Sequence, residues 1–187
     1  MFTYFEKLSQ LFSDIDVTNI NNKPIQLPVG FKNALDLIKK AASKGNKIIF
    51  IGNGGSATIA SHMAIDFWKN GRIKAVSFND AAQLTCLGND FGYKYVFEKP
   101  IQFFAEPGDV LIAISSSGKS ENILRGAKAA KTKRCKVITM SGFNSNNPLR
   151  KIGDLNFYAP SSSYGFVEIT HLALCHSILD YLQHRNL

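Results

Sequence analysis

The chain has no apolar run approaching the ~20 residues that a membrane-spanning helix requires, although 45% of its 187 residues are hydrophobic. No membrane span is expected. Cysteine is scarce: Cys86, Cys135 and Cys175 are widely spaced, odd in number and form no CxxC pair. That argues against a disulfide framework and fits a reducing, cytoplasmic setting, with the thiols buried as small apolar groups. The N-terminus, "MFTYFEKLSQLFSDID", carries acidic residues and lacks a small-residue cleavage site, so no signal peptide is expected. Acidic residues are outnumbered, 14 against 22 basic, for a formal net charge of +8. The densest basic stretch is "RGAKAAKTKRCK", residues 125–136. No aromatic-interleaved patch or helix-turn-helix pattern accompanies it. A solvated helix face with a general attraction for anionic metabolites is therefore expected, rather than a nucleic-acid partner.

The length suits one domain with a single sizeable core, plus an accessory segment. Residues 1–30 form that segment. Residues 2–13 are amphipathic and helical in pattern, and "TNINNKPIQLPVG" (18–30), polar with two prolines, reads as a loop. From residue 31 to 187 an alternation follows. "FKNALDLIKKAASKG" places Phe31, Ala34, Leu35, Ile38 and Ala42 on one helical stripe that stops at Gly45. Short apolar strands are expected at 47–52, 73–78, 109–115, 135–142 and 155–160. Helices lie between them, the one around "YKYVFEKPIQFFA" broken at Pro100, and "GFVEITHLALCHSILDYLQ" closes the chain. Alternating apolar strands and helices predict a five-stranded parallel α/β sheet covered on both faces, with right-handed crossovers. Ligands of such sheets sit at the carboxyl ends of the strands.

Two loops after strands carry the signal. "GNGGSA" fits the minimal dinucleotide fingerprint through Gly52, Gly54 and Ala57, with Asp80 about 20 residues on. "SSSGKSEN" (115–122) sets Ser115, Ser116, Ser117 and Ser120 around Gly118 at the start of a helix. A glycine turn, unpaired helix N–H groups and small neutral hydroxyls make a cradle for one phosphate. One helix cap accounts for one serine, not four. A nucleotide dehydrogenase does not need this second loop, whereas a protein gripping a phosphorylated sugar does. The pair of loops therefore favours a sugar phosphate and no nucleotide.

"FIGNGGSA", "GNDFGYKYVF", "GDVLIAISSSGKSENIL" and "VITMSG" resemble the SIS (sugar isomerase) domain, and "GNDFGY" with the His-bearing first helix is similar to its phosphoheptose isomerase branch. The resemblance runs from about residue 30 to residue 183. It implies a flavodoxin-like sheet, a homotetramer, and conversion of sedoheptulose 7-phosphate to the aldose heptose 7-phosphate, a precursor of lipopolysaccharide or capsule. On spacing alone, His62 and Asp66 stand at i and i+4, on one helix face about 6 Å apart. The last helix adds Glu168, His171 and His176. Histidines and carboxylates on two helices can ligate zinc or share acid–base work. The resemblance implies more: His62, Asp66, Glu168 and His176 as ligands of one zinc ion per subunit, with Asp66 and His176 as the catalytic pair. Ser115, Ser116, Ser117 and Ser120 would hold the phosphate, Asn53, Gly54 and Ser56 would orient the sugar, and Asp90 and Glu168 would also contact substrate.

Three positions depart from that family pattern. Asp66 stands for a glutamate, and its carboxylate retreats by roughly 1.5 Å. Glu168 stands for a neutral glutamine. "FWKNGRIK" follows Asp66 where the family carries "GR" and an arginine that helps bind substrate; Lys69 and Arg72 are the candidates here. Glu168 and His176, eight residues apart, are ~12 Å apart along a continuous helix and ~80° apart around it. They are not expected to meet at one ion within one subunit, which predicts sites at subunit interfaces. Three other readings stay open: an isomerase of another sugar phosphate, a non-catalytic adaptor like the tetrameric relative that associates with the bacterial replication initiator, and a dinucleotide binder with Asp80 on a ribose.

Overall fold

The structure, a computed structural model, describes residues 2–183. Its parallel core comprises β3 (Ile48–Gly52), β4 (Ala75–Ser77), β5 (Val110–Ser115), β6 (Lys136–Ser141) and β7 (Leu155–Tyr158). They lie in the order β4-β3-β5-β6-β7, all parallel. That is the doubly wound order whose reversal falls between β3 and β5, so a crevice opens at their carboxyl ends. The "GNGGSA" and serine loops leave from those two ends.

The sheet has seven strands rather than the five expected, because β1 (Asp16–Asn19) and β2 (Pro24–Ile25) add an antiparallel hairpin beside β7. Part of the 18–30 stretch read as a loop is therefore strand, and Leu27 already begins α2 (Leu27–Ser43), with Pro28 tolerated in its first turn. The hairpin was hidden by its brevity and polarity. Its turn is organised by Asn19, whose Oδ1 accepts the N–H groups of Asn21 and Lys23 at 2.9 and 3.1 Å. β2 is two residues long and begins at a proline, which makes a poor template for further pairing.

Strand alternation divides the core in two. Ile48, Phe50, Ile112, Ile114, Ile138, Met140 and Phe157 face one layer, built from α2, α3 (Gly55–Lys69) and α7 (Tyr164–Gln183). Ile49, Ile51, Leu111, Ala113 and Val137 face the other, which contains α5 (Glu98–Phe104) and α6 (Glu121–Thr132). Full burial of a side chain such as Phe50 or Ile112 contributes about 1.5–3 kcal/mol, and both are essentially inaccessible. α1 (Phe2–Ser13) packs on α7, as the amphipathic N-terminus suggested. Pro100 does not break a helix. It occupies the first turn of α5, where its missing N–H costs nothing, and a short 3-10 turn at Tyr93–Tyr95 precedes it.

The carboxylate of Asp109, just before β5, is buried and ties the strand ends together. It accepts the backbone N–H groups of Lys47 and Glu106 at 2.9 and 2.8 Å and pairs with Lys47 Nζ at 2.7 Å. Burial pushes its pKa up, but the Lys47 and Glu106 donors outweigh that and hold it below the ordinary aspartate value. Cys135 and Cys175 are buried, as expected; Cys86 is exposed on α4 (Ala81–Phe91), none of whose residues is buried. Half of the six cations in the basic stretch on and after α6 are paired: Arg125 with Glu98 and Glu121, Lys131 and Lys136 with Asp154.

Candidate active site

The serine loop and "GNGGSA" close around one pocket of about 300 Å³, lined by Asn53, Gly54, Gly55, Ser56, Ser115, Ser116, Ser117, Ser120, Tyr164 and Glu168. Its geometry follows from two turns. Gly54 opens α3 with φ +54°, a conformation that only glycine adopts at little cost. Gly118 (φ +61°) packs so closely on the Asn147 side chain that a Cβ there would collide. The turn at Gly118 is held from inside the loop, since Ser115 Oγ accepts the Gly118 N–H at 3.2 Å and Ser117 Oγ that of Lys119 at 3.2 Å. Ser116 Oγ is buried and has no partner among the described residues, and Ser120 stands at the N-cap of α6 without making a cap bond. Ser117 Oγ only accepts, so its O–H, the Ser116 and Ser120 hydroxyls and two helix N-termini remain for an anion.

Asn53 is fixed by reciprocal amide hydrogen bonds with Asn122, both 2.9 Å, and accepts from Tyr93 Oη at 3.2 Å. Asn122, Tyr93 and Tyr164 are site residues that sequence reasoning missed. Tyr93 lies in the quoted "GNDFGY" and Asn122 ends "SSSGKSEN", so both motifs contained them, but no spacing rule pointed to their roles. Asp90, from the same "GNDFGY", is not among the residues lining this pocket. It is exposed on α4, accepting from the Cys86 thiol and the neighbouring Asn89 amide.

The second constellation lies further along α3. His62 Nε2 is 3.3 Å from Asp66 Oδ2, the His62 and His176 rings are 5.2 Å apart, and one ligand atom from each of the three residues falls within 4.8 Å of the others. Asn70 donates to Asp66 at 3.2 Å and orients its carboxylate. Two imidazoles and one carboxylate are a donor set used by catalytic zinc, with room left for a further ligand. These three residues could therefore hold a metal. Glu168 does not join them. α7 is continuous, and Glu168 projects one end of it over Gly55, so closely that a Cβ at Gly55 would collide with the carboxylate. A four-ligand set that includes Glu168 is thus not assembled within one chain.

Asp66 and His176 also line an open pocket of about 770 Å³ with Lys69, Arg72 and Asp180. Both cationic candidates after Asp66 thus face the same space. Arg72 reaches it from the turn that ends α3, in a left-handed conformation (φ +55°). His171 is fully buried, its Nε2 3.2 Å from the Ser141 carbonyl, and burial pushes its pKa down to about 4. It is a neutral core residue. Asp80, the ribose candidate of the dinucleotide reading, instead caps α4 by accepting the Gln83 N–H at 3.0 Å. His184 lies outside the described residues.

The SIS domain family model matches residues 3–142. A phosphoheptose isomerase from Helicobacter hepaticus is 33% identical over 170 residues, 86% of this chain and 85% of that protein. One from Cytophaga hutchinsonii is 35% identical over 152 residues, 78% and 79% of the two chains. The solved phosphoheptose isomerase of Neisseria gonorrhoeae superposes with a TM-score of 0.84 at 27% identity, covering 96% of this chain and 95% of that one. The chain belongs to the SIS domain family and, within it, to the phosphoheptose isomerases.

Proposed function

We propose that this protein is a ketose–aldose isomerase that converts sedoheptulose 7-phosphate to D-glycero-D-manno-heptose 7-phosphate through an enediol. The observation that carries this is the arrangement along α3: an anion cradle at its N-terminus and the His62, Asp66 and His176 cluster further along. Ser56 and Asp66 are ten residues apart, roughly 15 Å of helix. Ser116, Ser117 and Ser120, with the N-termini of α3 and α6, would take the phosphate. Ser115 would shape the loop, and Asn53, Gly54 and Ser56 would meet the sugar hydroxyls.

Isomerisation needs a base to take the proton from the carbon beside the carbonyl, and an acid to protonate the carbonyl oxygen. The proton is then delivered to the former carbonyl carbon. Asp66 is assigned as the base and His176 as the acid, with Lys69 and Arg72 lining the pocket they share. Zinc, held by His62, Asp66 and His176, would polarise the two substrate oxygens. Cradle and cluster open as separate pockets in a single chain, which supports a site completed between subunits of a homo-oligomer, with the homotetramer as the expected state. Asp90, exposed on α4 and away from the cradle, would bind a sugar hydroxyl only from a neighbouring subunit. Glu168 puts a carboxylate in the phosphate pocket itself, which supports a second reading: an isomerase of a different sugar phosphate.

The test is turnover. The purified protein is mixed with sedoheptulose 7-phosphate, with and without zinc, and aldose formation is followed by NMR. Turnover that His176→Ala abolishes supports the assignment. No turnover under any metal condition removes the heptose reading, and full activity of His176→Ala removes His176 as the acid.

A further inference from the structure

The serine loop turns at Gly118, and the segment after β6 grips it at three points. The Gly142 N–H donates to the Ser116 carbonyl at 2.9 Å, and the Leu149 N–H donates to the Gly118 carbonyl at 3.1 Å. Between them Asn147, wholly buried, lays its side chain against Gly118, where no Cβ would fit. Its amide is fixed by its own segment. Nδ2 donates to Ser141 Oγ at 3.0 Å and to the Asn144 carbonyl at 2.9 Å, and Oδ1 accepts the Arg150 N–H at 3.1 Å. Ser141 ends β6 in register with Ser115, where the serine loop begins. One side chain therefore packs on the turn of the loop and braces the strand end beside its origin.

The gripping segment is itself anchored away from the cradle. The buried Arg150 donates to the Ser145 carbonyl at 3.1 Å, pairs with Asp16 on β1 and lies over the Tyr158 ring of β7 at 4.7 Å. Tyr158 Oη donates to the Phe143 carbonyl at 3.0 Å. Both ends of the segment are thus held by the sheet. The C=O and N–H of a trans peptide point in opposite directions, so fixing the Ser116 carbonyl on Gly142 turns the N–H of Ser117, a cradle residue, away from the segment. A loop fixed in this way does not have to be ordered by the phosphate it binds, and that ordering otherwise appears as lost affinity. We infer that Asn147 is a positioning residue of the phosphate site: packed on Gly118 and bonded to Ser141, it presets the serine loop without lining the cradle itself. That role presupposes that the serine loop is the phosphate cradle.

Equilibrium dialysis of the full chain with radiolabelled inorganic phosphate, joined to steady-state kinetics on sedoheptulose 7-phosphate, tests this role. Asn147→Ser keeps a side chain able to accept the Arg150 N–H, as a helix cap does, but withdraws the amide from Ser141 and Gly118. Asn156→Ala is the control: Asn156 is an equally buried asparagine whose hydrogen bonds go to Thr139, Gly153 and Thr18 rather than to the serine loop. Ser120→Asp sets a carboxylate in the cradle itself. The expected result is phosphate bound by the wild type and not by Ser120→Asp, with Kd raised about tenfold or more by Asn147→Ser and unchanged in Asn156→Ala. KM of Asn147→Ser rises with Kd, while kcat stays within about threefold of the wild type because the His62, Asp66 and His176 cluster is untouched. A purely structural role would lower the melting temperature and the fraction of chains that bind, but not the Kd of those that do. Circular dichroism measures that fraction, and sucrose, which favours the compact state, keeps a marginal variant folded during dialysis. No phosphate on the wild type, or undiminished binding in Ser120→Asp, removes the cradle reading and this role with it. Binding that Ser120→Asp abolishes, but that Asn147→Ser leaves unchanged or Asn156→Ala weakens equally, overturns the role of Asn147 and leaves the cradle standing.

Discussion

His171 and His176 stand five residues apart on α7, one sealed under β6 and the other open to the α3 groove. Burial holds the His171 pKa near 4, below its unfolded value of about 6.5. The unfolded chain therefore takes up a proton that the folded chain refuses. The stability contribution of this neutral histidine is present above pH 6.5 and is lost as the pH falls from 6.5 towards 4. Between pH 7 and pH 5 that amounts to about 2 kcal/mol. Denaturant unfolding at the two pH values should show this loss in the wild type and a smaller one in His171→Gln; equal losses would show that another group is responsible. Asp66 poses the other question at this scale. A carboxylate misplaced by about 1 Å can cost ~10²-fold in rate. With its assigned role as base, Asp66→Asn should lower kcat by about 10²-fold or more. Asp66→Glu should retain turnover or raise it, and steady-state kinetics of the pair checks both.

The helix N-termini show how an element can hold a residue for stability or for binding. Asp80 makes a cap bond to α4 and Ser120 makes none to α6. Asp80→Ala should therefore cost about 1 kcal/mol of stability, whereas Ser120→Ala should leave stability nearly unchanged and weaken phosphate binding. Thermal melts with and without phosphate separate the two outcomes. The elements themselves were mostly legible in the sequence, because apolar runs bounded by glycine and polar residues leave little choice between strand and helix. The hairpin was not. β1 has four residues and β2 two, and both gain their order from pairing with β7 and each other, a long-range interaction that no local pattern encodes. Pro100 was misjudged for a related reason: its effect depends on whether it falls in the first turn or the interior of a helix, and the start of α5 is set by the packing of Phe97 and Ile101 in the core.

At the scale of the whole molecule, one chain leaves large apolar side chains outside. Phe103 is 84% exposed and Trp68 52%, the latter on α3 two residues from Asp66. An apolar groove of about 580 Å³ runs between α1, α2 and α7, lined by Phe12, Ile15, Leu27, Phe31, Leu174 and Tyr181. Such surfaces fit the proposed homo-oligomer. Light scattering should give a mass above the 20.6 kDa of one chain, and Trp68→Glu should reduce both mass and turnover together. A monomer with full activity would remove the interface site.

The sequence by itself determined the strand and helix order, the two loops and the chemistry they carry, because spacing along a helix and residue type after a strand are local properties. It also required that Glu168 and His176 not share an ion in one chain, since helix geometry separates them. Which residues meet was decided only by the tertiary structure. Packing of α7 along α3 sets His176 against His62 and Glu168 over Gly55. The turn ending α3 brings Arg72 to the pocket that Asp66 lines, and Asn122 finds Asn53 across 69 residues of chain. Those encounters depend on how two faces of the sheet are covered, and that is a balance of burial over the whole core rather than a property of any one segment.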